Sequence, residues 1–156
     1  MTIGRLISNL DKIDLEKVVQ EVVTETKDEI LHAQREQLLE GKLSTGQDIT
    51  PSYLEDPYFK SRESAQRYSD WKDKITPNPK RKKGVPNLFI VGTFHNSISV
   101  DVTTNSVVFD ASFKKPDIIR KFSENIFGLN PEKAGQYSQE HLAPEATRRI
   151  RKKIFQ

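Results

Sequence analysis

From Asp14 to about Gly41 the apolar positions Leu15, Val18, Val19, Val22, Val23, Ile30, Ala33 and Leu38 recur mostly at steps of three and four. That period predicts one long amphipathic helix over about 14–41. Asp11 or Asp14 can cap its start, and Gly41 or Gly46 can stop it. The opposite face carries Lys17, Glu21, Thr24, Asp28 and Arg35, which are expected to meet water. Its four valines are weaker helix formers than leucine or alanine, so packing has to hold the helix. The stripe either covers a sheet or meets the same helix in neighbouring subunits.

The period changes to two further along. Ile98, Val100 and Val102 alternate with Ser97, Ser99 and Asp101, and Val107, Phe109 and Ala111 alternate with Val108 and Asp110. This predicts a β-hairpin over about 96–112, turning at Thr103–Ser106, where Asn105 tolerates positive φ. Pro116 then opens a helix over about 116–127 with a stripe of Ile118, Ile119, Phe122 and Ile126. Asn130 to Tyr137 reads as a connector, and a last helix over about 139–155 carries Leu142, Ala146, Ile150 and Ile154 on one face. Pro144 falls early in it, so the helix proper is expected to begin there.

Between the long helix and the hairpin, turn formers (Ser44, Gly46, Asp48, Pro51, Ser52, Pro57) predict an irregular loop over about 44–58. A thin apolar set, Ala65, Tyr68 and Trp71, supports a helix over about 59–74. Three prolines and Gly84 make 76–87 irregular. Leu88 to Val91 fits either a strand or a short helix. The whole is an α+β chain, a single domain over 1–156: a long N-terminal amphipathic helix, a small antiparallel sheet with a hairpin, and C-terminal helices.

Composition narrows the chemistry. Without cysteine, disulfides, thiolate metal sites and cysteine nucleophiles are excluded. The net charge of +3 is too mild for a dedicated nucleic-acid binder. No apolar run approaches bilayer length and the N-terminus lacks a signal-peptide pattern, so a cytoplasmic chain is expected, with no membrane partner.

Nothing predicts an enzyme. His32, His95 and His141 lack metal-ligand spacing, and the glycines form no phosphate loop. Asp101 and Asp110 could approach each other across the hairpin, but exposed strand carboxylates seldom have the split pKa values that acid and base chemistry needs. No catalytic residue, metal or cofactor is expected.

Interaction candidates are clearer. Tyr53, Tyr58, Phe59, Tyr68 and Trp71 crowd the turn-rich middle, where they either pin the loop to its own domain or present an interface. Lys80, Arg81, Lys82 and Lys83 form a basic run that is either a solvated loop or a phosphate contact. Arg148, Arg149, Arg151, Lys152 and Lys153 lie near a helix C-terminus, where the macrodipole alone accounts for them.

Two stretches carry a likeness. Gly46 with Ile49-Thr50-Pro51-Ser52-Tyr53, then Lys60, and later Asn87-Leu88, Val91-Gly92-Thr93-Phe94 and Ser97-Ile98 follow one another after the amphipathic helix. In this order they resemble the virion-morphogenesis and tail-completion group of tailed bacteriophages, over about residues 30–129. The resemblance implies a non-enzymatic structural protein of the virion, made in the bacterial host cytoplasm. Such a protein would be a homo-oligomeric ring subunit of the neck (the head-tail connector) or of tail completion. Its partners would be further copies of itself and portal, neck or tail subunits. Within that frame Pro51 and Tyr53 would fix the loop, and Gly92 and Phe94 would form the entry to the hairpin, with Gly92 as a bend where backbone approaches closely. The alternative is a nucleic-acid-binding accessory protein contacting DNA through 80–83 and the C-terminal basic helix.

Overall fold

The computed structural model describes residues 2–156. Helices α1 (Ile3–Asp11), α2 (Leu15–Glu25) and α3 (Lys27–Leu39) occupy the first quarter. After a loop comes α4 (Arg62–Ile75), then the short α5 (Thr93–Ser97) leading directly into β1 (Ile98–Val102) and β2 (Val107–Ala111). The chain closes with α6 (Lys115–Phe122), a 3-10 turn (Glu124–Ile126), α7 (Pro131–Tyr137), a π turn (Ser138–Leu142) and α8 (Ala143–Ile154). The fold class is α+β, as the patterning predicts.

The strands pair antiparallel with Ile98 opposite Ala111 and Val102 opposite Val107. Thr103 and Ser106 close the turn through backbone and hydroxyl hydrogen bonds. Asn105 does not use positive φ; the four-residue loop closes without it. The helical layer of α2 and α3 packs on β1. One core cluster gathers Leu38, Leu43, Ile49, Val85, Phe94, Ile98, Ala111 and Ile126, and a second gathers Val23, Ile30, Val100 and Tyr137. Leu31 touches both, so the α3 stripe does cover the sheet.

Several boundaries differ from expectation. The long helix over 14–41 is broken at Thr26, whose backbone is no longer helical (φ −106°, ψ 19°). The Thr26 hydroxyl donates to the Val22 carbonyl (2.8 Å) and meets the Tyr137 hydroxyl (2.6 Å), a tertiary contact invisible to local periodicity. Arg35 meets water only in part; its Nε donates to the His95 carbonyl at 2.8 Å. α3 stops as expected at Gly41, where the Lys42 amide reaches the Gln37 carbonyl and the Gly41 amide the Leu38 carbonyl. Gly41 has φ +71°, and a Cβ there would lie 2.6 Å from Val85 Cγ1, so glycine is required twice over.

The expected helix over 116–127 ends at Phe122, because Ser123 takes φ +81° and starts the 3-10 turn. The expected connector at 130–137 is α7: Asn130 caps the Lys133 amide and Pro131 occupies the first turn, where its missing N–H does no harm. The α-helical part of the last helix begins at Ala143 with Pro144 in its first turn, as expected, but it has no free start. It continues from α7 through the π turn, whose wider spacing falls just before the proline.

Gln34 and Gln37, both 0 % exposed, hold the segment after α6 as a strand neighbour would. Gln34 donates to the Ile126 carbonyl and accepts from the Gly128 amide, each at 2.8 Å. Gln37 donates to the Gly128 carbonyl at 2.9 Å and accepts from the Asn130 amide at 2.7 Å. Four backbone groups that lack a sheet partner are thereby satisfied. Beside them Lys133 is buried between Glu36 (3.1 Å) and Glu40 (2.9 Å).

Candidate functional site

α4 begins with a capping box in which Ser61 and Ser64 exchange hydrogen bonds. Its buried stripe is Ala65, Ser69 and Lys72, at steps of four and three. The expected face of Ala65, Tyr68 and Trp71 is thus rotated: Tyr68 is half-buried and Trp71 exposed. The rotation places the aromatics on a flank, where they form a row of edge-to-face and tilted contacts. Tyr53–Tyr68, Phe59–Tyr68, Tyr68–Trp71 and Tyr58–Phe59 ring centroids lie 5.1, 5.2, 5.4 and 5.3 Å apart. Such geometries are favoured by the ring quadrupoles. Tyr53 is buried and its amide donates to the Gly84 carbonyl (2.9 Å), so it pins the loop as expected. Burial, with Tyr68 adjoining, pushes its phenol above the ordinary tyrosine value. Thr50–Pro51 is cis and Pro51 sits half-buried beside it.

Facing this row is the segment 86–92, which is neither strand nor helix. Side chains hold it instead of a backbone ladder. The fully buried Asn87 donates to Thr76 Oγ1 (3.0 Å) and accepts the Phe89 amide (3.2 Å). His95 Nε2 donates to the Asn87 carbonyl at 2.8 Å, which fixes the tautomer. Burial lowers the His95 pKa, with Arg35 and Lys72 adding to this against the opposing hydrogen bond to Asn87. Lys72 Nζ donates to the Phe89 carbonyl. Gly92 (φ +83°) caps α5; a Cβ there would come within 3.1 Å of the Phe89 ring. The expected backbone approach at Gly92 is therefore a left-handed turn beneath an aromatic ring. Phe94 is 5 % exposed and belongs to the core, touching the groove from below.

Between the two walls runs a groove of about 780 Å³, closed on its third side by Phe113, Lys114 and residues of α6. Its lip is apolar and bare: Tyr58 and Val91 are each 79 % exposed and Ile90 58 %. Lys121 bridges Asp56 at 2.5 Å, and Arg120 bridges Asp117 at 3.3 Å. That leaves Lys72 and Lys114 in the groove wall without a carboxylate partner among the described residues.

Lys72 is 1 % exposed. Burial, with Arg81 nearby and Asp73 only partly opposing, pulls its pKa from the ordinary 10.5 to about 8. Between those values the unfolded chain binds the extra proton and the folded chain does not. Stability therefore rises with pH from about 8 to 10.5. Lys72→Met is expected to abolish that rise; at pH 7 the relief of the buried charge is offset in part by the Phe89 carbonyl losing its donor, for a net gain of at most about 1–2 kcal/mol, read from urea melts at a series of pH values. A melt series with the same alkaline rise as the native chain would contradict it.

The basic candidates are less free than the sequence suggests. Arg81 is buried, donating to Asp73 Oδ1 (3.1 Å) and the Thr76 carbonyl (3.0 Å), and Lys80 lies 3.4 Å from Glu40. Among the described residues, Lys82 and Lys83 are the two of that run that stand in water without an ion pair. Arg148 and Arg149 both clasp Glu145, whose carboxyl they hold at about 2, and Arg149 also reaches Glu21 and Glu25 of α2. Arg151 remains exposed. No hydrogen bond or ion pair joins the two clusters among the described residues.

Asp110 is held by Lys115 (2.5 Å) and its own strand's Ala111 amide, and sits diagonal to Asp101. No group of three His, Asp or Glu side chains could hold a metal, and no helix is long and apolar enough to cross a membrane, among the described residues. Sequence reasoning singled out Tyr53, Tyr58, Trp71, Gly92 and Phe94, which the fold gathers around one groove or its flank. It missed Lys72, Phe89 and Phe113; the only signal was the steps of four and three joining Lys72 to Ser69 and Ala65. No family model, curated protein or solved structure matches the chain.

Proposed function

We propose that the protein is a non-enzymatic structural subunit of a tailed-phage virion. It acts as a neck or tail-completion ring component between portal and tail, through contacts centred on the aromatic groove. The observation that carries this reading is the bare lip of Tyr58, Ile90 and Val91 over the groove. A contiguous apolar rim on a small chain marks a contact surface. Tyrosine and phenylalanine anchors in a pocket are the make-up of an interface centre. Of the two stretches that resemble the virion-morphogenesis group, the first gives the groove Tyr53 and the second gives it Leu88 to Val91, Thr93 and Phe94. Heterologous contacts between identical copies close into rings when the rotation allows.

Val91→Asp is expected to leave the thermal melt within about 2 °C of the native chain, because the side chain is in water. It is also expected to abolish higher-order assembly, measured as native mass alone and after mixing with portal or tail protein. A chain that stays monomeric in every mixture and binds duplex DNA with a steep salt dependence would reverse the reading in favour of a nucleic-acid accessory protein.

A further inference from the structure

α1 is the one long element of the N-terminal region with no buried residue. It touches α8 through one face: Leu6, Asn9 and Ile13 are half-buried, and Asn9 Nδ2 donates to the Ile154 carbonyl at 2.8 Å. Its neighbouring face is apolar and uncovered. Ile3, Ile7 and Leu10 are 78, 53 and 46 % exposed and follow the i, i+4, i+7 spacing by which a helix anchors in a groove. The chain thus carries a convex apolar ridge and a concave aromatic groove on different elements, each without cover.

Charge says how they match. At 3.6 residues per turn Asp11 lies on the same face as Ile7, while Arg5 and Lys12 point to the far side. Asp11 has no cation partner among the described residues, and the groove wall holds two cations, Lys72 and Lys114, without a carboxylate. Lys114 Nζ stands 5.5 Å from the Phe113 ring centroid at the groove edge, in position to meet an acid at the end of an apolar helix.

We propose that the Ile3, Ile7 and Leu10 ridge of α1 in one copy seats in the aromatic groove of the next copy, with Asp11 facing Lys114. This contact rests on the ring-subunit reading and supplies its repeat: ridge and groove are different surfaces, so each bound copy leaves one of each free and the contact propagates.

The native chain has no cysteine, which makes thiol pairing a clean probe. Ile7→Cys protein is mixed in equal amounts with Val91→Cys, Ile90→Cys or Tyr58→Cys protein and oxidised mildly; all four positions are exposed, so folding is preserved. The expected result is a mixed disulfide between Ile7→Cys and at least one groove variant, exceeding both symmetric products, since bridging needs Cα atoms within about 7 Å. Lys114→Glu is expected to weaken self-association at least tenfold, and Asp11→Lys in the same chain to restore it. Only symmetric Ile7→Cys dimers would show that α1 pairs with itself, and overturn the proposal. Rings that form without any mixed disulfide would overturn it while leaving the ring-subunit reading intact. A monomer with no cross-chain product at high concentration would overturn it too, and the mixtures with portal or tail protein then judge that reading separately.

Discussion

Gln34→Leu is expected to cost about 2–4 kcal/mol, because it strands the buried Ile126 carbonyl and Gly128 amide together. Leucine fills similar volume and suits a helix, so the loss comes from unpaired polar groups rather than a cavity or poor propensity. Gln37→Leu should cost a similar amount through the Gly128 carbonyl and the Asn130 amide. The two glutamines grip opposite sides of the same residue, so once one is lost the segment loosens and the second substitution costs less. The double variant should therefore fall short of the sum. Denaturant midpoints with an unchanged slope provide the measurement. A loss below about 0.5 kcal/mol in Gln34→Leu would mean water replaces the amide and the ladder is not what holds this segment.

Lys133→Met is expected to destabilise the fold by about 3–5 kcal/mol, the opposite sign from Lys72→Met. Both lysines are buried. Burial pulls the Lys133 pKa down, but hydrogen bonds to Glu40 and Glu36 more than offset it and leave it raised. A raised pKa means that this stabilisation is complete below the ordinary lysine value, and is lost only as pH climbs through the folded value above 10.5. At neutral pH it is fully present. Removing the ammonium leaves the Glu40 carboxylate, 11 % exposed, with only Lys80 at 3.4 Å. Adding Glu40→Gln to Lys133→Met should recover more than half of the loss, since no buried charge is then stranded. Failure of the double variant to recover would show that the stranded Glu40 charge is not the source of the cost.

What was legible in the sequence follows from what is local. The hairpin was, because alternation over Ile98–Val102 and Val107–Ala111 depends only on one face being covered. The Gly41 stop was, because positive φ selects glycine. The break at Thr26 was not, since it depends on the Tyr137 hydroxyl from the far end of the chain. α7 was hidden by Asn130-Pro131, which reads as a turn although the same pair starts a helix. α1 went unread, although Thr2 and the Ile3, Ile7, Leu10 spacing announce it. The groove was half legible: aromatics cluster in the sequence, but their arrangement depends on Lys72, a residue whose charge argues for water and whose position puts it inside. A polar side chain taken up by backbone carbonyls, as with Gln34, Gln37 and Lys72, leaves no mark in a hydropathy pattern.

The glutamine ladder also orders events during synthesis. Gln34 and its Ile126 partner are 92 residues apart, and Gln37 and Asn130 are 93. A nascent chain therefore carries α3 for about 90 further residues with its two inward amides unanswered and its apolar stripe without the 126–130 segment. Long-range closures of this kind come late and leave sticky surface open in the meantime. The two helical amides find their partners only once residues 126–130 have emerged.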